Sequence, residues 1–231
     1  IIPPKNLSVN KALLIPNDKN DIICLVMKMK KTTAAFTAIA IIYTIWYMHY
    51  GNPLTNDGAL SKIGLEHRIL FAIWGVATYS ALAANIVLAY KRYTKTRVHI
   101  PLLIISGIGM TLTLGCRFDF DIKAEYYLHC TGSLLFSAIM GISVFLLFFL
   151  CRKRKRIFKV FMYLSGGLLL TDLVLLLIYK ETGLIEAVPI ICGCIMLTAI
   201  NLRKGDEYET ARKAEQSEQI SPAYAGAQKK R

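Results

Sequence analysis

Acidic residues, histidine and cysteine are all scarce in this chain, and each shortage removes a class of function. Only four histidines are present. They do not pair at two membrane depths, as haem ligation within a helical bundle would need. Nor do two of them stand at helical spacing, so the dense ligand motif of many metal-dependent hydrolases is missing. The six cysteines lie at 24, 116, 130, 151, 192 and 194, mostly within or beside apolar stretches. Cys192-Gly193-Cys194 lacks the two-residue spacing of a zinc ribbon or redox motif, and buried apolar cysteine is the plainer reading. Cys116 and Cys130 flank one loop, where a disulfide is conceivable. Cys151 abuts a basic run and is a candidate for acylation.

Acids number 15 against 28 Lys and Arg, a net charge of +13. Such a balance raises nucleic-acid binding, but the distribution of the charge argues for membrane topology instead. Six apolar stretches, near Thr32–Tyr50, Ile69–Tyr90, Ile100–Cys116, Leu128–Leu150, Ile157–Tyr179 and Leu184–Leu202, interrupt the polar sequence. About 17 to 25 helical residues cover the roughly 30 Å hydrocarbon core of a bilayer. A charged face at helical period, which a soluble helical domain would carry, is missing from all six. The short alternating segments of a membrane β-barrel are missing too. The expected fold is all-α, a polytopic membrane protein of six transmembrane helices.

Basic residues mark one side. Lys5, Lys11, Lys19, Lys28, Lys30 and Lys31 precede the first stretch, and Lys91, Arg92, Lys95 and Arg97 follow the second. Arg152, Lys153, Arg154, Lys155, Arg156 and Lys159 follow the fourth, and the tail from Arg203 adds seven more. The opposite side holds only Lys62, Arg68, Arg117, Lys123 and Lys180, against Asp57, Glu66, Asp119, Asp121, Glu125, Glu181 and Glu186. Short basic loops resist translocation, so both termini are expected in the cytoplasm. The 152–156 run is expected to set topology and to contact anionic lipid as a secondary effect. Membrane lipids are the expected partners, and nucleic acid is not.

Three regions follow: a poorly ordered cytoplasmic segment over 1–31, a transmembrane domain over 32–202, and a charged cytoplasmic tail over 203–231 that prolongs the sixth helix. Met27-Lys28-Met29-Lys30-Lys31 has the pattern of a start ahead of an apolar span. That span ends in Trp46-Tyr47-Met48-His49-Tyr50, an aromatic belt and not a cleavage site, so it is read as retained.

The candidate site lies on the outer face, where three of the four histidines and the seven carboxylates collect. Asn52-Pro53 and Asp57-Gly58 are turn formers, so the first outer loop is expected to fold back on itself. If the second and fourth spans pack together, Glu66, His67, His129, Asp119 and Asp121 meet in one shallow cavity. Asp57 lies nearby, and Arg68 and Arg117 stand ready for a phosphate. Such a set suits headgroup binding, acid–base chemistry or a divalent metal, for which His67, His129 and Asp119 are the weak candidates. Charges that simply face water and headgroups are the plain alternative. Gly132, Ser133, Ser137 and Gly141 form a small-residue stripe expected to press His129 against the third span at Gly107 and Gly109. Within the fifth span, Asp172 is the one deep ionisable residue, and it is expected to be paired, protonated or lining a cavity. No cofactor follows from these residues.

The segment Pro53-Leu54-Thr55-Asn56-Asp57-Gly58-Ala59, with Glu66 and Ile69-Leu70-Phe71 after it, resembles a signature of the FRAG/DRAM-type six-helix family. His129-Cys-Thr-Gly132-Ser-Leu-Leu-Phe136 is similar to that family's His-x-x-Gly-x-Leu-Leu segment, as is the Gly-rich third span before it. A prokaryotic six-helix membrane family shares much of the pattern. Asn56 stands where Ser is usual, and Glu66-His67-Arg68 replaces a Pro-Glu pair. The resemblance implies lipid remodelling, GPI-anchor maturation or autophagy–lysosome function with an outward polar site, and carries over Asp57, Gly58, Glu66, His129 and Gly132. Three functions fit: lipid headgroup binding or remodelling first, then a metal-dependent membrane hydrolase, then a transporter using Asp172.

Overall fold

The structure, a computed structural model, describes residues 19–119 and 121–203, with side chains from residue 27 onward. The expectations for residues 1–18 and for the tail beyond 203 lie outside the described residues.

Among the described residues seven helices follow one another: α1 (Lys19–Tyr47), α2 (Leu60–Glu66), α3 (Arg68–Tyr93), α4 (His99–Gly115), α5 (Lys123–Cys151), α6 (Arg156–Tyr179) and α7 (Gly183–Leu202). Two short 3-10 turns, Met48–Tyr50 and Asn56–Gly58, lie between α1 and α2. No strand occurs among the described residues. Each apolar stretch of the sequence is a helix, and α2 is an addition that hydropathy did not announce. Among the described residues, α3, α5, α6 and α7 are long and apolar enough to cross a membrane, while α4 is a shorter apolar helix of 17 residues. Such helices suit the hydrocarbon layer because every interior N–H and C=O is satisfied within its own segment.

α1, α3 and α7 pack together, and α4 lies tightly along α5. That second contact is set by Gly109 and Gly132. A Cβ on Gly109 would lie 2.8 Å from the Gly132 carbonyl oxygen, and one on Gly132 would lie 2.7 Å from that of Gly109. The two backbones touch there, which is how small residues bring helices together without a hydrophobic driving force. The rest of the expected stripe behaves differently. Gly141 faces Leu169 of α6, Gly107 faces Tyr79 of α3, and Ser137 bonds back to the Ser133 carbonyl.

One core cluster fills the bundle, with Ile86, Tyr90, Leu147, Phe148 and Leu197 fully buried. A smaller one, Tyr47, Leu60, Ile63, Phe71, Trp74 and Ala187, sits beneath α2. Burying Leu60 and Ile63 contributes about 1.5–3 kcal/mol each, enough to hold a seven-residue helix that could not persist alone.

A polar seam crosses the α1–α3–α7 contact. Asn85 donates to the Thr37 hydroxyl at 2.9 Å, Thr37 meets Thr198 at 2.9 Å, and Asn201 donates to Asn85 Oδ1 at 3.0 Å. Elsewhere, α6 stands largely outside the bundle, with 6% of its apolar window buried. Phe158, Ser165 and Asp172, seven residues apart, lie along its inward stripe.

α7 ends at Leu202, and Arg203, the last described residue, is extended (ψ 127°). One expectation is corrected. Cys151 is buried and donates to the Tyr93 carbonyl at 3.4 Å, which leaves its thiol no access to an acylating enzyme. Cys116 and Cys130 are free thiols.

Candidate functional site

The first connection, residues 51–67, is folded end to end. The Asn52 carbonyl accepts from the Thr55 amide (3.0 Å) and hydroxyl (3.1 Å), and its side-chain oxygen accepts from the Leu54 amide (3.1 Å). Gly58 N–H then closes on the Thr55 carbonyl at 3.1 Å. A side chain at Gly58 would collide with the Asn52 carbonyl, so the turn needs glycine there.

This folded loop is sewn to the α6–α7 connection, about 125 residues away. Leu184 N–H donates to the Pro53 carbonyl at 3.1 Å, and Asn56 Nδ2 donates to the Glu181 carbonyl at 2.7 Å. Gly183 permits the approach, since a Cβ there would stand 2.6 Å from the Gly58 carbonyl oxygen. α7 itself begins on Thr182, whose hydroxyl accepts from the Ile185 amide at 3.4 Å.

Glu186, one turn into α7, supplies what α2 lacks. α2 has no side-chain cap of its own. The Glu186 carboxylate accepts from the Leu60 amide, the Ser61 amide (3.4 Å) and the Ser61 hydroxyl (2.9 Å). It thereby satisfies N–H groups at a helix start, where the backbone dipole favours negative charge. Tyr47 completes the brace by donating to the Leu60 carbonyl at 3.2 Å.

Lys62 bridges the near side of the cluster, donating to Asn56 Oδ1 and, at 3.3 Å, to Asp57. Asp57 is open, its side chain 95% exposed against 21% for Lys62. Glu181 is different. Its Oε2 is buried and has no hydrogen-bond partner among the described residues. Burial pushes its carboxyl above the usual carboxylate range, tempered by the Ser61 hydroxyl and the Lys62 ammonium. Asn56, Asp57, Ser61, Lys62, Glu181 and Glu186 thus form one polar cluster of three carboxylates and a single cation.

Of the residues singled out from the sequence, Asp57 belongs to this cluster and the others are distributed. Glu66 is exposed at the end of α2, and the His67 ring packs on Tyr50 at 4.7 Å. Arg68 donates to the Gly115 carbonyl at 3.1 Å. The Arg117 amide donates to Glu125 at 3.1 Å, and the Asp121 amide to Asp119 at 3.0 Å. His129 is 2% exposed, between Phe71 (6.0 Å) and Phe118 (5.2 Å). Its Nδ1 lies 3.1 Å from the Cys116 carbonyl, which only accepts, so Nδ1 carries the proton and latches α5 to the end of α4. The dispersal has a packing cause: α5 lies along α4 far more than along α3, so His129 latches to the end of α4 while Glu66 and Arg68 stay at the α2–α3 junction. Among the described residues, no three His, Cys, Asp or Glu side chains gather as a metal site, and His67, His129 and Asp119 are not grouped in one.

Glu181, Glu186, Ser61 and Lys62 were not singled out from the sequence as site residues. The signal available was only that both glutamates bracket the start of an apolar span on the acid-rich side. Asp172, half-buried on α6, has no hydrogen-bond or ionic partner among the described residues.

The described chain is all-helical, with several helices of membrane-crossing length, the architecture of a multi-pass membrane protein. Compared with known proteins, it matches no family model, no curated protein and no solved structure.

Proposed function

We propose that this is a six-span membrane protein, α1 and α4 crossing with the other four, and that both termini face the cytoplasm. The asymmetry of basic loops supports the orientation: the connections after α3 and α5 are Lys- and Arg-rich, and those after α1, α4 and α6 carry the acids. α4 lies between helices of spanning length, α1 packs against α3 and α7, which both have that length, and an even number of crossings returns the chain to the basic side.

On this reading the polar cluster faces outward, and its function is to bind, or to hold for remodelling, the polar headgroup of a membrane lipid. One observation carries it: a folded loop is pinned to the α6–α7 connection, where Glu181, close to Lys62, keeps a buried carboxylate oxygen without a hydrogen-bond partner among the described residues. An unfilled acceptor in a dry setting is costly unless a donor completes it. An amine-bearing headgroup supplies N–H donors, and Lys62, which donates to Asn56 and Asp57, keeps a third N–H for its phosphate. The resemblance to the FRAG/DRAM-type family points the same way, since Asp57 and Gly58 belong to the pinned loop. The hydrolase alternative has no three-ligand group among the described residues to rest on. Transport remains the second reading, favoured by the unpaired Asp172 on the inward stripe of α6.

The test is retention of phosphatidylethanolamine by the detergent-purified chain, read by native mass spectrometry, beside Glu181→Gln and Asp172→Asn. Headgroup binding predicts loss in Glu181→Gln and none in Asp172→Asn. Retention unaffected by Glu181→Gln overturns the outer-site reading.

A further inference from the structure

A second site lies at the opposite, basic end of the bundle, between α5 and α6. A groove of about 550 Å³ opens there, and its two halves differ in chemistry. Its floor is apolar, formed by Phe145, Phe149 and Met162 beside Gly166 and Gly167. Gly167 leaves it open, since a Cβ there meets nothing within 4 Å. Its rim carries Arg152, Lys153 and Lys159.

Among the described side chains the rim meets no counter-charge: none of them is an acid between Glu125 and Asp172, between Glu66 and Asp119, or between Glu186 and Arg203. Arg152 is also held in place: its guanidinium lies 3.8 Å from the Phe149 ring centre, and Nη1 donates to the Phe149 carbonyl at 2.7 Å. One N–H is used and the others of its planar fork remain for an anion. An arginine fixed in advance loses less freedom when it binds.

We propose that this groove binds one anionic phospholipid, the acyl chain lying on the Phe145–Met162 floor and the phosphate held by Arg152, Lys153 and Lys159. The inference rests on the membrane orientation above but not on the outer site. Charge complementarity selects the headgroup, and the apolar floor, continuous with the membrane-crossing faces of α5 and α6, selects a lipid over a soluble anion. The added element is the floor: general attraction of a basic loop to a charged surface needs no groove.

Native mass spectrometry of the full chain in detergent, with phosphatidylglycerol or phosphatidylcholine added, tests this. The wild type is expected to keep one phosphatidylglycerol in preference to phosphatidylcholine. Lys153→Gln with Lys159→Gln, both exposed and harmless to folding, is expected to weaken retention about tenfold. Gly167→Leu fills the groove without touching a charge, suits a helix better than glycine, and is expected to weaken retention equally. Glu181→Gln is expected to leave it unchanged. Equal retention of the two lipids, no effect of Gly167→Leu, or displacement by millimolar inorganic phosphate alone overturns the proposal. So does loss of phosphatidylglycerol in Glu181→Gln, which assigns the lipid to the outer site.

Discussion

Glu181 and Glu186 stand five residues apart and do opposite things. Glu186 is committed to structure, since its carboxylate holds the backbone donors at the start of α2. Charged hydrogen bonds of this kind are worth about 1.5–3 kcal/mol, so Glu186→Ala should lower the unfolding temperature in detergent and expose residues 51–67 to protease. Glu181 keeps one buried carboxylate oxygen without a hydrogen-bond partner among the described residues, and burial raises its proton affinity. The sign follows from linkage: a carboxyl that binds its proton more tightly in the folded state favours folding at acid pH. Its contribution is complete below the unfolded value and is lost as pH rises through the folded one. The protein should therefore melt higher at mildly acid than at neutral pH, and Glu181→Gln should flatten that slope. An unaltered slope would place the pH dependence elsewhere.

Among the elements, α4 depends most on its neighbour. At 17 residues it is the shortest of the long helices, and its glycine contact with α5 leaves no room for a side chain. Overpacking of this kind costs about 1–3 kcal/mol, so Gly132→Leu should destabilise the protein by that order in a denaturant titration, whereas Gly115→Leu, at an open position, should not. The α1–α3–α7 seam is the polar counterpart. Hydrogen bonds between membrane helices average about 0.6 kcal/mol and reach about 2 kcal/mol. Asn85 is the hub of the seam, its side chain bonding to Thr37, Thr198 and Asn201. Asn85→Leu should therefore lower the unfolding temperature more than Thr198→Val, which removes a peripheral member.

At the level of the whole molecule, the proposed six-span arrangement makes a geometric prediction. With the free cysteines replaced by serine, Lys95→Cys and Lys153→Cys should react with a membrane-impermeant maleimide only after permeabilisation. Asp57→Cys and Lys123→Cys should react in intact cells. The reverse pattern would invert the orientation and place the polar cluster in the cytoplasm. Labelling of Lys95→Cys and Asp57→Cys from the same side would break the assignment of α3 as a crossing.

Composition and period alone determined that the described chain is helical and where its apolar stretches lie, because a helix satisfies its own backbone and its apolar length is written locally. The turn at Asp57-Gly58 was legible for the same reason: only glycine fits against the Asn52 carbonyl. The start of α1 as early as Lys19, ahead of the apolar stretch, was not legible. Nor was the small α2, because Leu60-Ser-Lys-Ile-Gly-Leu-Glu66 is short, interrupted by glycine and capped by a residue 126 positions away. Gly132 was recognised as a contact residue, yet the stripe it belongs to splits between α4 and α6, a choice made by packing. The site shows the same division. Sequence placed the carboxylates on one side of the bundle, but only tertiary structure decided which of them meet. It drew Glu181 and Glu186 to Asn56, Ser61 and Lys62, and buried His129 between two phenylalanines. Charge asymmetry is a sum along the chain and survives without a fold. A cluster needs side chains from separated segments to occupy the same few ångströms, and that is decided by which helices pack.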